Sequence, residues 1–203
     1  MNETGRPLTF TEEARRRQIV ECTIALVAER GPAAASLSAI AARAGISKAA
    51  VLYHFASKDA VLEATARHVL TSFAAAVGER VDAADGPEAM LVAFLRGAVG
   101  YLRKHREQVR VLVEGLVRDR DGARELAPGS AAGASRWQGV ASILERGQRA
   151  GVFRAFDPRT LALVVNGALD GLVAEWVADP AFDLDVAADE LERSVLLAVR
   201  SPP

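Results

Sequence analysis

Three serines, Ser36, Ser47 and Ser57, each stand directly ahead of a helix-periodic segment, and a single glycine, Gly45, separates the first two segments. A serine hydroxyl at such a place accepts a hydrogen bond from a backbone N–H that a new helix leaves unpaired, so each serine marks a helix start. The first segment buries a stripe of Leu37, Ile40, Ala41 and Ala44 and stops at Gly45. In the next, Val51 and Phe55 lie four apart and share one face. Two short helices meeting at a steep angle need a small residue where they touch, here Ala41, and a flexible one in the turn, here Gly45. Apolar residues at Ile40, Ile46 and Val51 pin the angle. This is a helix-turn-helix pattern.

Such a pattern turns the N-terminal residues of its second helix toward a DNA major groove, where side chains reach base edges. Ala49 and Ala50 let the backbone come close to the bases, and an alanine methyl can touch a thymine methyl. Ser47 and Lys48 are the polar readers.

Around this core the chain reads as helices divided by turn residues. Thr11-Glu12-Glu13 is expected to cap a first helix with Ile19, Cys22, Thr23, Leu26 and Val27 on its apolar face, ending at Arg30-Gly31-Pro32. Ser57 starts a long fourth helix through Leu62, Val69, Phe73 and Val77. Asp82 to Pro87 is the clearest break in composition. Pro87 suits the first turn of a fifth helix, apolar nearly all round and so central, that runs to about His105. Further helices are expected over Glu107–Arg118, about Ser130–Ala150, from Asp157-Pro158 through Trp176, and from Leu184 to about Arg200. RDRDGARELAPGS between residues 118 and 130 reads as a loop, and the last three residues as a disordered tail. No stretch alternates apolar and polar residues over a strand's length, so the fold class is all-α with about nine helices.

Composition narrows the chemistry. Cys22 is the only cysteine, which leaves no intrachain disulfide and no multi-thiolate metal site. His54, His68 and His105 are isolated from one another, and no nucleophile, phosphate loop or acid/base pair stands out. The expectation is a protein that is not an enzyme and uses no metal or cofactor. The N-terminal residues lack the apolar run of a secretory signal, and no run of about eighteen residues looks apolar enough to span a bilayer. A cytoplasmic protein with no membrane partner is expected. Residues 1–60 carry a net charge of +2 and the remainder −3, too small an asymmetry to argue for nucleic acid by itself. The motif has to carry that argument.

The residues from about Glu13 to Phe73 resemble the DNA-binding domain of the TetR family of transcriptional regulators. The resemblance lies in Arg17-Gln18-Ile19, Ala28-Glu29-Arg30-Gly31, the run from Ile40 through Lys48, Tyr53-His54-Phe55 and Ser57-Lys58. It implies that Ser47 to Tyr53 is the recognition helix and that Tyr53 and Lys58 contact phosphate. The full DNA-contacting set it implies is Ser36, Ser38, Ser47, Lys48, Ala49, Ala50, Tyr53, His54 and Lys58. The commonest family tyrosine would fall at Leu52, and the glycine often found after Ser-Lys is Ala49 here. Arg15-Arg16-Arg17 reads first as a solvated face, with phosphate contact as the sharper alternative. Arg6, in the arm, has a minor groove within its possible reach.

The domain organisation implied is a flexible arm over 1–12, a helix-turn-helix domain over 13–73 whose fourth helix continues to about 82, and a helical ligand-binding and dimerisation domain over 87–200. Candidate effector contacts, large residues or polar ones in apolar settings, are Phe73, Phe94, Tyr101, Glu114, Trp137, Asn166 and Asp170. Asn166 and Asp170 lie four apart on an apolar helix, and a buried polar pair needs partners. The dimer interface carried over from the family is placed on the last two helices, at Leu161, Val165, Ala168, Leu172, Trp176, Leu191 and Val195, with Gly167 and Gly171 allowing close approach. The whole reads as a homodimeric, ligand-responsive repressor that binds a palindromic double-stranded operator and an unidentified small-molecule effector. The alternatives are an activator, or an all-helical small-molecule-binding protein or enzyme.

Overall fold

The computed structural model describes residues 8–110, 131–179 and 181–201. They form eight α-helices, a further helical stretch at 106–110 and one 3-10 turn, with no strand beyond a single bridge between Phe153 and Arg200. The chain divides into two compact units: residues 8–71 with 106–110, and residues 72–105 with 131–201.

In the first unit, α1 (Phe10–Arg30) begins earlier than the sequence reading placed it, at Thr9 rather than Thr11. Thr9 is followed three residues later by Glu12, and the two close a capping box. The Glu12 amide donates to the Thr9 hydroxyl at 3.3 Å, and the Thr9 amide donates to the Glu12 carboxylate at 2.7 Å. Thr11 has Ala14 at that spacing and cannot form the box, so the last three residues assigned to the arm are helical; residues 1–7, Arg6 among them, lie outside the described residues.

A 3-10 turn (Pro32–Ala34) leads into α2 (Leu37–Ala44) and α3 (Lys48–His54). Gly45 between them has φ 65°, a left-handed backbone that a β-carbon disfavours, and its N–H donates to the Ala41 and Ala42 carbonyls. Ile46 N–H then returns to Ala41 O at 3.0 Å, which closes the turn. α4 (Lys58–Asp82) follows. Ile19, Val20, Ile24, Leu26 and Val27 of α1 share one buried cluster with Ile40, Ala41, Val51, Phe55, Val61 and Val69. Residues 106–110 are helical and belong to this unit, with Arg110 Nη1 donating to Ala28 O at 3.0 Å. The rest of the helix expected over Glu107–Arg118, and the loop after it, lie outside the described residues.

The second unit is built around α5 (Pro87–Lys104), which has buried residues on several sides, as its composition requires: Met90, Leu91, Phe94, Leu95, Ala98 and Tyr101. Against it pack α6 (Ala131–Arg149) and α8 (Leu184–Val199), and α7 (Pro158–Ala178) packs on those two. Ion pairs tie α5 to the α8 segment, Arg96 to Glu192 at 2.5 Å, Arg103 to Asp185 at 2.7 Å and Glu88 to Arg200 at 2.6 Å. Most of these side chains are well exposed, so they set orientation more than they add stability. After α6 the chain reverses at Gly151, φ 71°, and lays the Phe153 ring over Gly147. Arg154 N–H donates to Val199 O at 2.9 Å, which fastens this turn to the end of α8.

Two expectations change here. α7 does have the length and composition to cross a bilayer, against the reading that no run would, although only 22% of its apolar window is buried within the chain. Its exposed residues include Val164, 60% exposed, beside Gly167, Asp170, Gly171 and Glu175. Of the residues assigned to a dimer interface, Val165 and Val195 are buried in this unit's own core, at 0% and 6% exposure. The helical period turns them inward and carries Val164 and Leu197 outward instead. Leu161, Ala168, Leu172, Trp176 and Leu191 are half-buried, and Gly167 and Gly171 are exposed with open space where a β-carbon would stand.

A β-carbon on Gly147 would sit 1.9 Å from the Phe153 ring. Gly147→Ala is therefore expected to cost about 1–3 kcal/mol, the usual range for forcing atoms into a packed core. Urea unfolding followed by circular dichroism checks this, with Gly139→Ala on the same helix, where nothing lies within 4 Å, as the sterically open control expected to gain about 0.5–1 kcal/mol.

Candidate nucleic-acid interface

α2 and α3 are built by local chemistry. The Ala39 amide donates to Ser36 Oγ at 3.1 Å and the Ala50 amide to Ser47 Oγ at 3.0 Å, so both serines cap as the sequence indicated. The same holds for Ser57, which accepts from the Ala60 amide at 3.1 Å as α4 begins. Val51, fully buried, and Phe55, 3% exposed, fix the inner face of α3. The outer face is left to Lys48, Ala49, Leu52 and Tyr53, all exposed, with Ala50 half-buried between the faces. Ser38 is exposed on α2, and Lys58 is half-buried in the first turn of α4. The nine residues assigned to DNA contact thus fall on α2 and its cap Ser36, on α3 and its cap Ser47, and on Lys58 at the start of α4.

Tyr53 is 75% exposed, its ring meeting that of His54 edge-on at 5.1 Å. Its hydroxyl lies 3.5 Å from the Glu12 carboxylate. Leu52, where the commonest family tyrosine would fall, is 41% exposed. Both positions face solvent, because α3 turns its buried side through Val51 and Phe55.

Sequence reasoning missed the contribution of α1. Arg15 Nη1 donates to Gln18 Oε1 at 2.6 Å, and Gln18 Nε2 donates to Ala44 O at 3.2 Å, at the end of α2. Arg16 donates to the carbonyl of His54, at the end of α3, and its guanidinium lies 3.9 Å from the Phe55 ring centroid. Glu29 and Arg43 form a two-pronged pair at 2.6 and 2.7 Å between α1 and α2. The arginine run showed that something basic stood there, but partners 26 and 38 residues away leave no mark on local spacing. Burial, then the Arg67 charge, work against the Arg16 charge and lower its pKa.

The effector candidates fare unevenly. Phe94 and Tyr101 lie in the second unit's core, with Phe73 edge-on to Tyr101 at 5.5 Å and His105 stacked on it at 4.2 Å. Burial pushes the Tyr101 phenol up, and a hydrogen bond with Ser72 opposes this. Trp137 Nε1 is buried with no hydrogen-bond partner, and the Arg159 guanidinium lies 5.0 Å from the ring centroid. The expected buried polar pair does not form. Asn166 Nδ2 donates to Ala162 O of its own helix at 2.8 Å, and Asp170 is exposed, because four residues of helix carry it along the open face. Glu114 lies outside the described residues. Among the described residues no three His, Cys, Asp or Glu side chains gather as metal ligands would.

Residues 19–65, which span the buried half of α1, the helix-turn-helix and the start of α4, match the family model of bacterial regulatory proteins of the tetR family. The N-terminal domain belongs to the TetR family. Over 90 residues, 44% of this chain, it is 42% identical to the HTH-type transcriptional regulator BetI of Burkholderia thailandensis. The match spans 46% of that protein, so the chain spans about half the length of the curated relatives it matches. The fatty acid degradation regulator FadR of Bacillus halodurans superposes with a TM-score of 0.79 at 21% identity, covering 91% of this chain and 99% of that one. The transcriptional regulator FadR of Bacillus subtilis, solved in complex with stearoyl-CoA, gives 0.78 at 18% identity, covering 91% and 99%. At these identities the likeness establishes the fold: a TetR-type N-terminal domain followed by a helical C-terminal domain.

His54 gives the TetR-type domain a pH signature. Burial, first, and the charges of Arg16 and Arg15 lower its pKa, while Glu12 works the other way. A histidine whose folded pKa lies below its unfolded value stabilises the fold above that unfolded value, near 6.5, and the contribution is lost as pH falls through the folded one. Urea midpoints are expected to drop more steeply from about pH 7.5 to about pH 5 for the wild type than for His54→Gln. Parallel curves would remove His54 as the cause.

Proposed function

We propose that the protein is a homodimeric, ligand-responsive transcriptional regulator that acts in the cytoplasm as a repressor at a palindromic operator. The observation that carries this reading is the two-sidedness of α3: Val51 is wholly buried while Lys48, Ala49 and Tyr53 stand in solvent. Such a helix has an inner face that fixes its orientation and an outer face free to enter a major groove. Lys48 and Ser47 meet base edges at the start of the helix, while the alanine methyls at Ala49 and Ala50 allow close approach. Lys58 and the Tyr53 hydroxyl contact phosphate and set the register.

Two copies would place their recognition helices about one DNA turn, roughly 34 Å, apart. The open face of α7 and α8 supports pairing, with Val164 and Leu197 60% and 71% exposed and the exposed glycines beside them. The effector enters the second domain. That effector is a small, fairly apolar molecule, and derepression requires that it bind the DNA-incompetent arrangement more tightly.

Duplexes selected from a random pool by the wild-type protein test the DNA reading. Lys58→Ala is expected to weaken binding of every duplex and to reduce the slope of log K against log salt by about 1.8, the value for one phosphate contact in each half of the dimer. Lys48→Ala is expected to cost about 1–3 kcal/mol and to relax selection at one base pair. A wild-type protein that retards no duplex at low salt overturns the reading. For assembly, sedimentation should show a dimer that Leu197→Glu converts to monomer without loss of helicity.

A further inference from the structure

α1 reaches the far ends of both helices of the motif. Its Gln18 amide meets the carbonyl of Ala44, the last residue of α2, and its Arg16 guanidinium meets the carbonyl of His54, the last residue of α3. Terminal carbonyls have no N–H of their own helix to accept from, and a cation there also complements the negative end of the helix. Arg15 accompanies Gln18: by donating to Oε1 it leaves Nε2 to face Ala44. α3 has only seven residues, too few to keep a helical shape in water without outside contacts. Its inner face has the core, but its C-terminal end is held from α1.

Arg16 is well placed for that task and poorly placed for phosphate. One plane of the guanidinium lies over the Phe55 ring, at 3.9 Å, and the fork is directed at a backbone carbonyl. Phe55 is the residue that closes α3, so a single side chain covers both its last ring and its last carbonyl. Arg17, next in sequence, is exposed and engages neither.

We infer that Arg16 is a positioning residue for DNA recognition: it fixes the C-terminal end of α3 against α1 through the His54 carbonyl and the Phe55 ring, and it is not a phosphate ligand. This rests on the reading that α3 contacts DNA. A planar, stacking guanidinium suits the place, since a lysine brings a point charge without a planar face.

The test compares wild type, Arg16→Met, Arg16→Lys and Lys58→Ala on a duplex selected by the wild-type protein, with amide hydrogen exchange measured on the same free proteins. Arg16→Met is expected to weaken binding by about tenfold or more, the order of one charge-assisted hydrogen bond. Its salt slope should equal that of the wild type, while Lys58→Ala loses about 1.8, one contact from each protomer. Exchange over Lys48–His54 should accelerate while that of the α1 core, Ile24 to Val27, stays as it was. Arg16→Lys, which keeps the charge and a donor, should give the same changes at smaller size, and it decides the matter if the methionine variant fails to fold. The inference is overturned if removing the Arg16 charge lowers the salt slope by about one contact per protomer, or if affinity and α3 exchange stay at wild-type values. Should the wild type select no duplex, the functional reading fails by itself, and the exchange of α3 still decides whether Arg16 holds it.

Discussion

Helices of eight and seven residues have no stability of their own in water, so whatever α3 presents outward depends on the burial of Ile40 and Val51 in one cluster with α1. Both are fully buried, and Ala41 beside them is small enough for α2 and α3 to meet. Gly45 supplies the left-handed turn that sets their relation. From those contacts follow the outward direction of Lys48 and Ala49, the inward direction of Phe55, and the place of the α3 C-terminus beside Arg16.

Both units direct cationic or amide side chains at backbone carbonyls and both carry exposed ion pairs. In the first, charged and amide side chains of α1 are directed at backbone carbonyls of the motif, where each substitutes for a hydrogen bond that a short helix cannot make for itself. In the second, the charges lie along the edge of α5 and α8 as exposed pairs, and the interior is left to apolar side chains. α7 as a whole has the length and composition of a membrane helix, although its exposed side carries Asp170 and Glu175. Its core-facing side, through Ala162, Val165, Leu169 and Val173, is already buried in its own unit.

Most of the fold was legible because helices announce themselves locally. Ser36, Ser47 and Ser57 cap where they were read to cap, Gly45 and Gly151 end helices, and Pro87 and Pro158 stand in first turns. The start of α1 was misplaced because two threonines compete there and only Thr9 has a glutamate at the capping-box spacing. The site was legible in part. The outer face of α3 follows from periodicity, whereas Arg16 and Gln18 act on carbonyls far along the chain, and no spacing rule encodes such a pairing. Asn166 was misjudged for a related reason: an amide on an apolar helix has its own backbone as a ready partner four residues back.

By itself, the amino-acid sequence determined the helical class, the helix-turn-helix and its likeness to a known family, since caps, glycines and the 3.6-residue period are short-range properties. Only the tertiary structure decided which apolar residues of α7 and α8 are core and which lie open, and which arginine of three holds α3. A helix's period tells which residues share a face. What that face meets depends on contacts between elements distant in the chain, and these exist only once the chain has folded.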